Sequence, residues 1–211
     1  MTLRAITLTP SAPQKSEKLF VALHGWGANA QDLAGLAPYL NLPDYQMLFP
    51  DAPFPHPQVP EGRMWYGFPV GYDFRSPPNF GGQPDAAESR QRLTTWLQEL
   101  ESLVGIPLSQ TILAGFSQGG AMALDVGLQL PLAGLIILSG YLHAPVNIAS
   151  SPCPVLVVHG QQDPVVPLAL AQQTKAELSR KGVSVRYHEL TMGHEIQPAA
   201  LDLIRGFCEI L

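Results

Sequence analysis

One stretch constrains this chain more than any other: a β-rich apolar run that stops at glycines and resumes at helical density. Thr111-Ile112-Leu113-Ala114-Gly115-Phe116-Ser117-Gln118-Gly119-Gly120 continues into Ala121-Met122-Ala123-Leu124. The pattern predicts a short buried strand, a tight turn and a helix. Gly115 and Gly119 stand two residues either side of Ser117, so strand and helix can cross closely and force the serine into the turn. A serine hydroxyl is a poor nucleophile unless a base lies beside it and N–H groups await an oxyanion. An elbow of this kind displays the hydroxyl, and the helix start adds the positive end of its dipole. The five-residue pattern G-x-S-x-G recurs by chance, and it is the strand before and the helix after that give it weight here.

Around this unit, short apolar runs alternate with helical stripes, which predicts an α/β fold: a mostly parallel central sheet with helices on both faces. Leu3 to Leu8 reads as an edge strand ended by Pro10 and Pro13. Leu19 to Leu23 is a continuous apolar run, expected as a central strand feeding His24-Gly25-Trp26-Gly27. A helix with Leu33, Leu36, Ala37 and Leu40 on one face follows, shortened or distorted by Pro38, and then a strand over Gln46 to Phe49. Asp85-Ala86-Ala87-Glu88 has the form of a capping box opening a helix, with Leu93, Trp96, Leu97, Leu100 and Val104 as its buried stripe and Gly105 at its end. The elbow helix is expected to stop at Pro131, before strands at Leu135 to Leu138 and Val155 to Val158. A helix from about Leu168 to Lys181, a strand over Val183 to Leu190 and a last helix led by Pro198 complete the alternation. The 211 residues correspond to about 1.4 domains on a length prior, and one domain over 1–211 is expected. The connection from Ser139 to Pro154 leaves no room for a helical cap domain.

Between Pro53 and Pro84 lies a long irregular segment rich in proline and carrying Phe54, Trp65, Tyr66, Phe68, Tyr72, Phe74 and Phe80. Disordered linkers are poor in aromatics, and loops this long within a compact fold are usually functional. Two readings stand: a wall or flap over the site, with Trp65, Tyr66 and Phe68 meeting substrate, or a structural loop packed on the side of the sheet.

Composition narrows the function. A net charge of −5 with no basic block argues against nucleic acid as a partner, because phosphate binding needs clustered Lys and Arg. Cys153 and Cys208 lack zinc-site or CxxC spacing and are expected as reduced, buried thiols. The N-terminal residues show no signal-peptide pattern and no apolar run approaches a membrane span, so a cytoplasmic protein without stable membrane insertion is expected. There is no HExxH, phosphate loop or dinucleotide fingerprint, and neither cofactor nor metal is called for.

A nucleophilic serine needs a histidine base and a carboxylate to hold that base, presented at the carboxyl ends of the strands. For this kind of elbow the chain order is Ser, acid, His. Asp163 follows a buried strand through His159-Gly160-Gln161-Gln162, whereas Asp125 lies two turns into the elbow helix and Asp202 falls after the last candidate base. His194, in Thr191-Met192-Gly193-His194-Glu195, follows the last strand on a loop able to bring its ring over Ser117. His24 and His159 precede glycines at strand ends and are expected to orient loops; His56, His143 and His188 have no such position. The oxyanion donors are expected to be the N–H of Gln118 and, within His24-Gly25-Trp26-Gly27, the N–H of Trp26.

Together these segments resemble the phospholipase/carboxylesterase family of α/β-hydrolases, which includes acyl-protein thioesterases and small bacterial carboxylesterases. The matching blocks are Leu23-His24-Gly25-Trp26-Gly27, Gly115-Phe116-Ser117-Gln118-Gly119-Gly120, Leu138-Ser139-Gly140-Tyr141, His159-Gly160 with Asp163 and Val166-Pro167, and Gly193-His194-Glu195. The resemblance implies an α/β-hydrolase fold, Ser117, Asp163 and His194 as a triad, and Trp26 with Gln118 as oxyanion donors. It also implies a carboxylesterase acting on short- to medium-chain acyl esters, with an acyl (protein) thioesterase or lysophospholipase as the alternative. Where the family often carries Trp-Phe-Asp this chain has Trp65-Tyr66-Gly67, and Ala28-Asn29 stand where an acidic residue is frequent.

Overall fold

The computed structural model describes residues 3–10, 16–74 and 76–211. Its sheet is assembled from strands β1 (Ala5–Leu8), β2 (Lys18–Leu23), β3 (Tyr45–Pro50), a two-residue ribbon β4 (Phe54–Pro55) and β5 (Arg63–Met64) set apart, then β6 (Thr111–Phe116), β7 (Gly134–Leu138), β8 (Val155–Gly160) and β9 (Val185–Leu190). The seven-stranded sheet has the order β1-β3-β2-β6-β7-β8-β9, and only β1 runs antiparallel to its neighbour. The chain winds outward from β2 to β3, then returns to lay β6 on the other side of β2. That reversal opens a crevice at the carboxyl ends of β2 and β6, the place where open α/β sheets bind ligands.

Successive residues of the inner strands enter opposite cores, which is why these strands read as unbroken apolar runs. Leu135 and Ile137 of β7 join the core under α3 (Pro84–Val104), α4 (Gln118–Gly127) and α5 (Leu168–Arg180), while Ile136 and Leu138 join the one under α1 (Ala30–Ala34), α2 (Ala37–Leu40) and α6 (Pro198–Cys208). The α/β-hydrolase architecture is thus present with helices on both faces and, among the described residues, no separate cap. Only Ser139 to Pro154 connect β7 to β8.

Several local expectations need correction. The helix anticipated before β3 is two short ones, because Pro38 occupies the first turn of α2, where its missing N–H costs nothing. Asp85 does not cap α3: the cap position is Gln83, Pro84 begins the helix, and the Asp85 carboxylate accepts the Gly67 N–H at 2.7 Å. A capping box does form at Asn29, whose side chain accepts the N–H groups of Gln31 and Asp32 while Asp32 accepts that of Asn29. The elbow helix ends at Gly127, before Pro131 is reached. Pro13 lies outside the described residues. Gly105 ends α3 at φ 77°, and both cysteines are free and buried, with burial pushing the Cys153 thiol up to about 11 and the Cys208 thiol to about 12.

Candidate active site

The elbow follows from sterics. Ser117 takes φ 54°, ψ −117°, in the left-handed region that a side chain rarely enters, between the end of β6 and the start of α4. The turn is this sharp because backbone passes backbone at two glycines. A Cβ on Gly115 would lie 2.2 Å from the Gly119 carbonyl oxygen, and one on Gly119 would lie 2.2 Å from that of Leu23. No larger residue fits either position without moving α4 off the sheet.

Three side chains from different parts of the chain meet at this point. His194, on the loop after β9, has Nε2 3.0 Å from Ser117 Oγ and Nδ1 2.7 Å from Asp163 Oδ2. The Phe116 ring packs 4.9 Å from the imidazole. Asp163 has a fully buried side chain, whereas that of His194 keeps 15% of its surface exposed. Burial alone would raise the Asp163 carboxyl, but hydrogen bonds from His194 and from the N–H groups of Val166 and Val165 outweigh it and hold it below the usual carboxylate range. An ionised carboxylate beside Nδ1 leaves Nε2 free to accept a proton from the serine. The arrangement can therefore move a proton between hydroxyl and imidazole.

Beneath the carboxylate lies His159, fully buried, with Nε2 2.8 Å from the Val166 carbonyl and 3.4 Å from Asp163 Oδ2. Burial lowers its pKa, the Val166 hydrogen bond and Asp163 only partly offsetting this. His24 is likewise lowered by burial; its Nδ1–H donates to Gly25 O and its Nε2 accepts the Ala52 N–H. Both orient loops, as their positions at strand ends predict.

The N–H groups of Trp26 and Gln118 take no acceptor among the described residues. Gln118 opens α4, where the first turn leaves donors free, and Trp26 lies in the turn after β2; the two stand past the ends of the adjacent strands β2 and β6, paired Leu23 to Gly115. The Trp26 ring is 41% exposed and packs edge-on against His56 at 4.1 Å and Phe68 at 5.5 Å.

Of the three residues expected to meet substrate, Trp65 and Tyr66 have no exposed surface, so neither can line a cleft in this structure. The segment's own polar needs draw them inward. Trp65 donates from its indole to the His24 carbonyl and from its N–H to Gln118 Oε1, and the Tyr66 hydroxyl bonds to Tyr141 and His143. Phe68 alone remains half-buried, at the centre of a cluster with Trp26, Tyr66, Tyr72, Phe74 and Phe80. The segment is thus wall and packing at once, its inner residues structural and Phe68 facing the Trp26 ring.

Sequence reasoning missed a second carboxylate–imidazole pair. Asp125 Oδ2 lies 2.9 Å from His143 Nε2 and 2.7 Å from Arg90 Nε, and His143 Nδ1 is 2.8 Å from the Tyr66 hydroxyl. Burial would raise Asp125, but His143 and Arg90 together hold it below the usual carboxylate range. A charge buried two turns into an otherwise apolar helix was the one available signal.

Among the described residues no group of three metal-ligating side chains gathers, and no helix is long and apolar enough to cross a membrane. A family model described as Phospholipase/Carboxylesterase matches residues 5–211. An acyl-protein thioesterase 1 of Saccharomyces cerevisiae is 28% identical over 92% of this chain and 92% of its own length. The acyl-protein thioesterase 1 of Neurospora crassa is 36% identical, but the match covers 52% of this chain and about half, 49%, of that protein. The crystal structure of esterase PE8 superimposes with a TM-score of 0.90 at 32% identity over 100% of both chains. That of a Dyadobacter fermentans phospholipase/carboxylesterase gives 0.77 at 24% identity over 99% of this chain and 97% of that one, a likeness of fold.

Proposed function

The chain belongs to the phospholipase/carboxylesterase family of hydrolases, and we propose that within it this protein is a serine carboxylesterase acting on short- to medium-chain acyl esters. The observation that carries the reading is the continuous contact from Asp163 through His194 to Ser117, at 2.7 and 3.0 Å. Ser117 Oγ attacks the ester carbonyl while His194 Nε2 takes its proton. The oxyanion is held by the N–H groups of Trp26 and Gln118, and Asp163 steadies the imidazolium. His194 then returns the proton to the departing alcohol as the C–O bond breaks, leaving an acyl-enzyme. Water, deprotonated by His194, attacks that ester in turn, and the acid leaves as Ser117 recovers its proton.

Ser117→Ala is expected to lower kcat by on the order of a million-fold and to abolish labelling by a fluorophosphonate probe, as loss of a triad nucleophile does. Retention of turnover or labelling in that variant would remove Ser117 as the nucleophile. A second reading, acyl-thioester hydrolysis by the same residues, has support in the names of the Neurospora and yeast relatives. Thioesters need little protonation of the leaving group, so the two separate on a panel of p-nitrophenyl esters and acyl thioesters of matched chain length. A kcat/KM higher for thioesters at every length would favour the second reading.

A further inference from the structure

The two proposed oxyanion donors belong to different strands, and something must set their spacing. Trp26 sits three residues past the end of β2, and Gln118 sits at the start of α4, past β6. Trp65 touches both sides. Its indole N–H donates to the His24 carbonyl at 2.9 Å, just upstream of Trp26, and its ring lies 5.8 Å from the His24 imidazole. Its backbone N–H donates to Gln118 Oε1 at 2.9 Å, and the other end of that amide, Nε2, donates to the Tyr66 carbonyl at 2.8 Å. The Trp65 carbonyl is taken by the Ser89 hydroxyl of α3. Trp65, Ser89, His24 and Gln118 all have no exposed surface, so water cannot replace a lost partner.

On the proposed reading of the site, we infer that Trp65 is a positioning residue: it brackets the two halves of the oxyanion hole, holding the β2 loop through its indole and the start of α4 through the Gln118 side chain. The Gln118 side-chain amide is fixed at both ends, by a donor from Trp65 and an acceptor from Tyr66, which ties the first residue of α4 to the segment that also holds the β2 loop. A misplacement of about 1 Å in such a site costs on the order of a hundredfold in rate. The bracket acts mainly on the transition state, because the ground-state carbonyl makes weaker demands on these donors.

Trp65→Phe removes the indole donor and keeps most of the ring volume; Gln118→Met removes the amide and keeps the backbone N–H. Each is expected to lower kcat by about 10- to 100-fold with KM changed less than about threefold, and to weaken binding of an alkyl trifluoromethyl ketone in parallel with kcat. Phe207→Leu, a core truncation on the far face of the sheet, serves as a stability-matched control, and Ser117→Ala as the reference for the site itself. If Ser117→Ala is inactive while both bracket variants keep wild-type kcat and ketone affinity, the bracket is overturned and the nucleophile stands. If kcat falls no more than in the control at equal loss of Tm, Trp65 is merely structural and the inference is again overturned. If Ser117→Ala stays active, the reading of the site fails and takes the bracket with it.

Discussion

Two carboxylate–imidazole–hydroxyl chains lie in this molecule and share one hydrogen-bonding order. Asp163 holds His194, which meets the hydroxyl of Ser117; Asp125 holds His143, which meets the hydroxyl of Tyr66. They differ in what surrounds the last oxygen. Ser117 is lifted on a strained elbow beside free N–H groups, and its histidine keeps some exposure. The Tyr66 hydroxyl is capped by that of Tyr141, both rings are fully buried, and burial raises the pKa of both phenols. With His143 protonated on Nε2, every proton in the second chain has an acceptor: Tyr141 donates to Tyr66, Tyr66 to Nδ1 and Nε2 to Asp125. The same hydrogen-bonding order can thus serve as a buried brace, and what sets the Ser117 chain apart is its partial access to solvent and the unpaired N–H groups beside it.

Three experiments break or sharpen this contrast. The largest difference is expected in turnover. Asp163→Asn should lower kcat by about ten-thousand-fold, as loss of the carboxylate that sets the imidazole tautomer does. Asp125→Asn should leave kcat within about threefold, because no reacting atom touches that pair. Comparable losses in steady-state assays of the two variants would erase the distinction.

Stability should reverse the order. His143→Ala leaves Asp125 buried with Arg90 alone and leaves the Tyr66 hydroxyl with Tyr141 as its one partner, so a loss of about 3 kcal/mol in urea unfolding is expected, the low end for breaking a buried pair. His194→Ala also leaves a buried carboxylate, but Asp163 keeps the N–H groups of Val165 and Val166 and the lost ring was partly open to water, so a smaller loss of about 1 to 2 kcal/mol is expected.

The smallest effect concerns acid. Both carboxyls are held below their ordinary range, so the stability they contribute is complete above the unfolded carboxyl pKa, near about 4, and is lost as pH falls through the depressed folded values. The urea midpoint of the wild type should fall below pH of about 4, and Asp125→Asn should flatten that fall in part. An identical slope in the variant would mean that Asp125 contributes nothing to it.

The expectations that held share a physical character. The elbow, the central strand at Leu19 to Leu23 and the glycine end of α3 rest on sterics and periodicity within a few residues, which the order of amino acids states directly. That Asp163 and His194 come to lie beside Ser117 was legible one step further out, because parallel strands bring every following loop to the same edge of the sheet. The capping box was placed at Asp85 and found at Asn29, since the motif is common and the bonds that decide it are made by the surrounding backbone.

The amino-acid order alone determined the alternation of strands and helices, the display of Ser117 and the edge at which its partners gather. These follow from local sterics and from the handedness of the chain. Only the tertiary structure decided that Trp65 and Tyr66 turn inward and that His143 finds Asp125. Those outcomes depend on buried donors and acceptors far apart in the chain, at 24, 65 and 118 or at 66, 125 and 143, each satisfied by a partner that no neighbouring residue specifies.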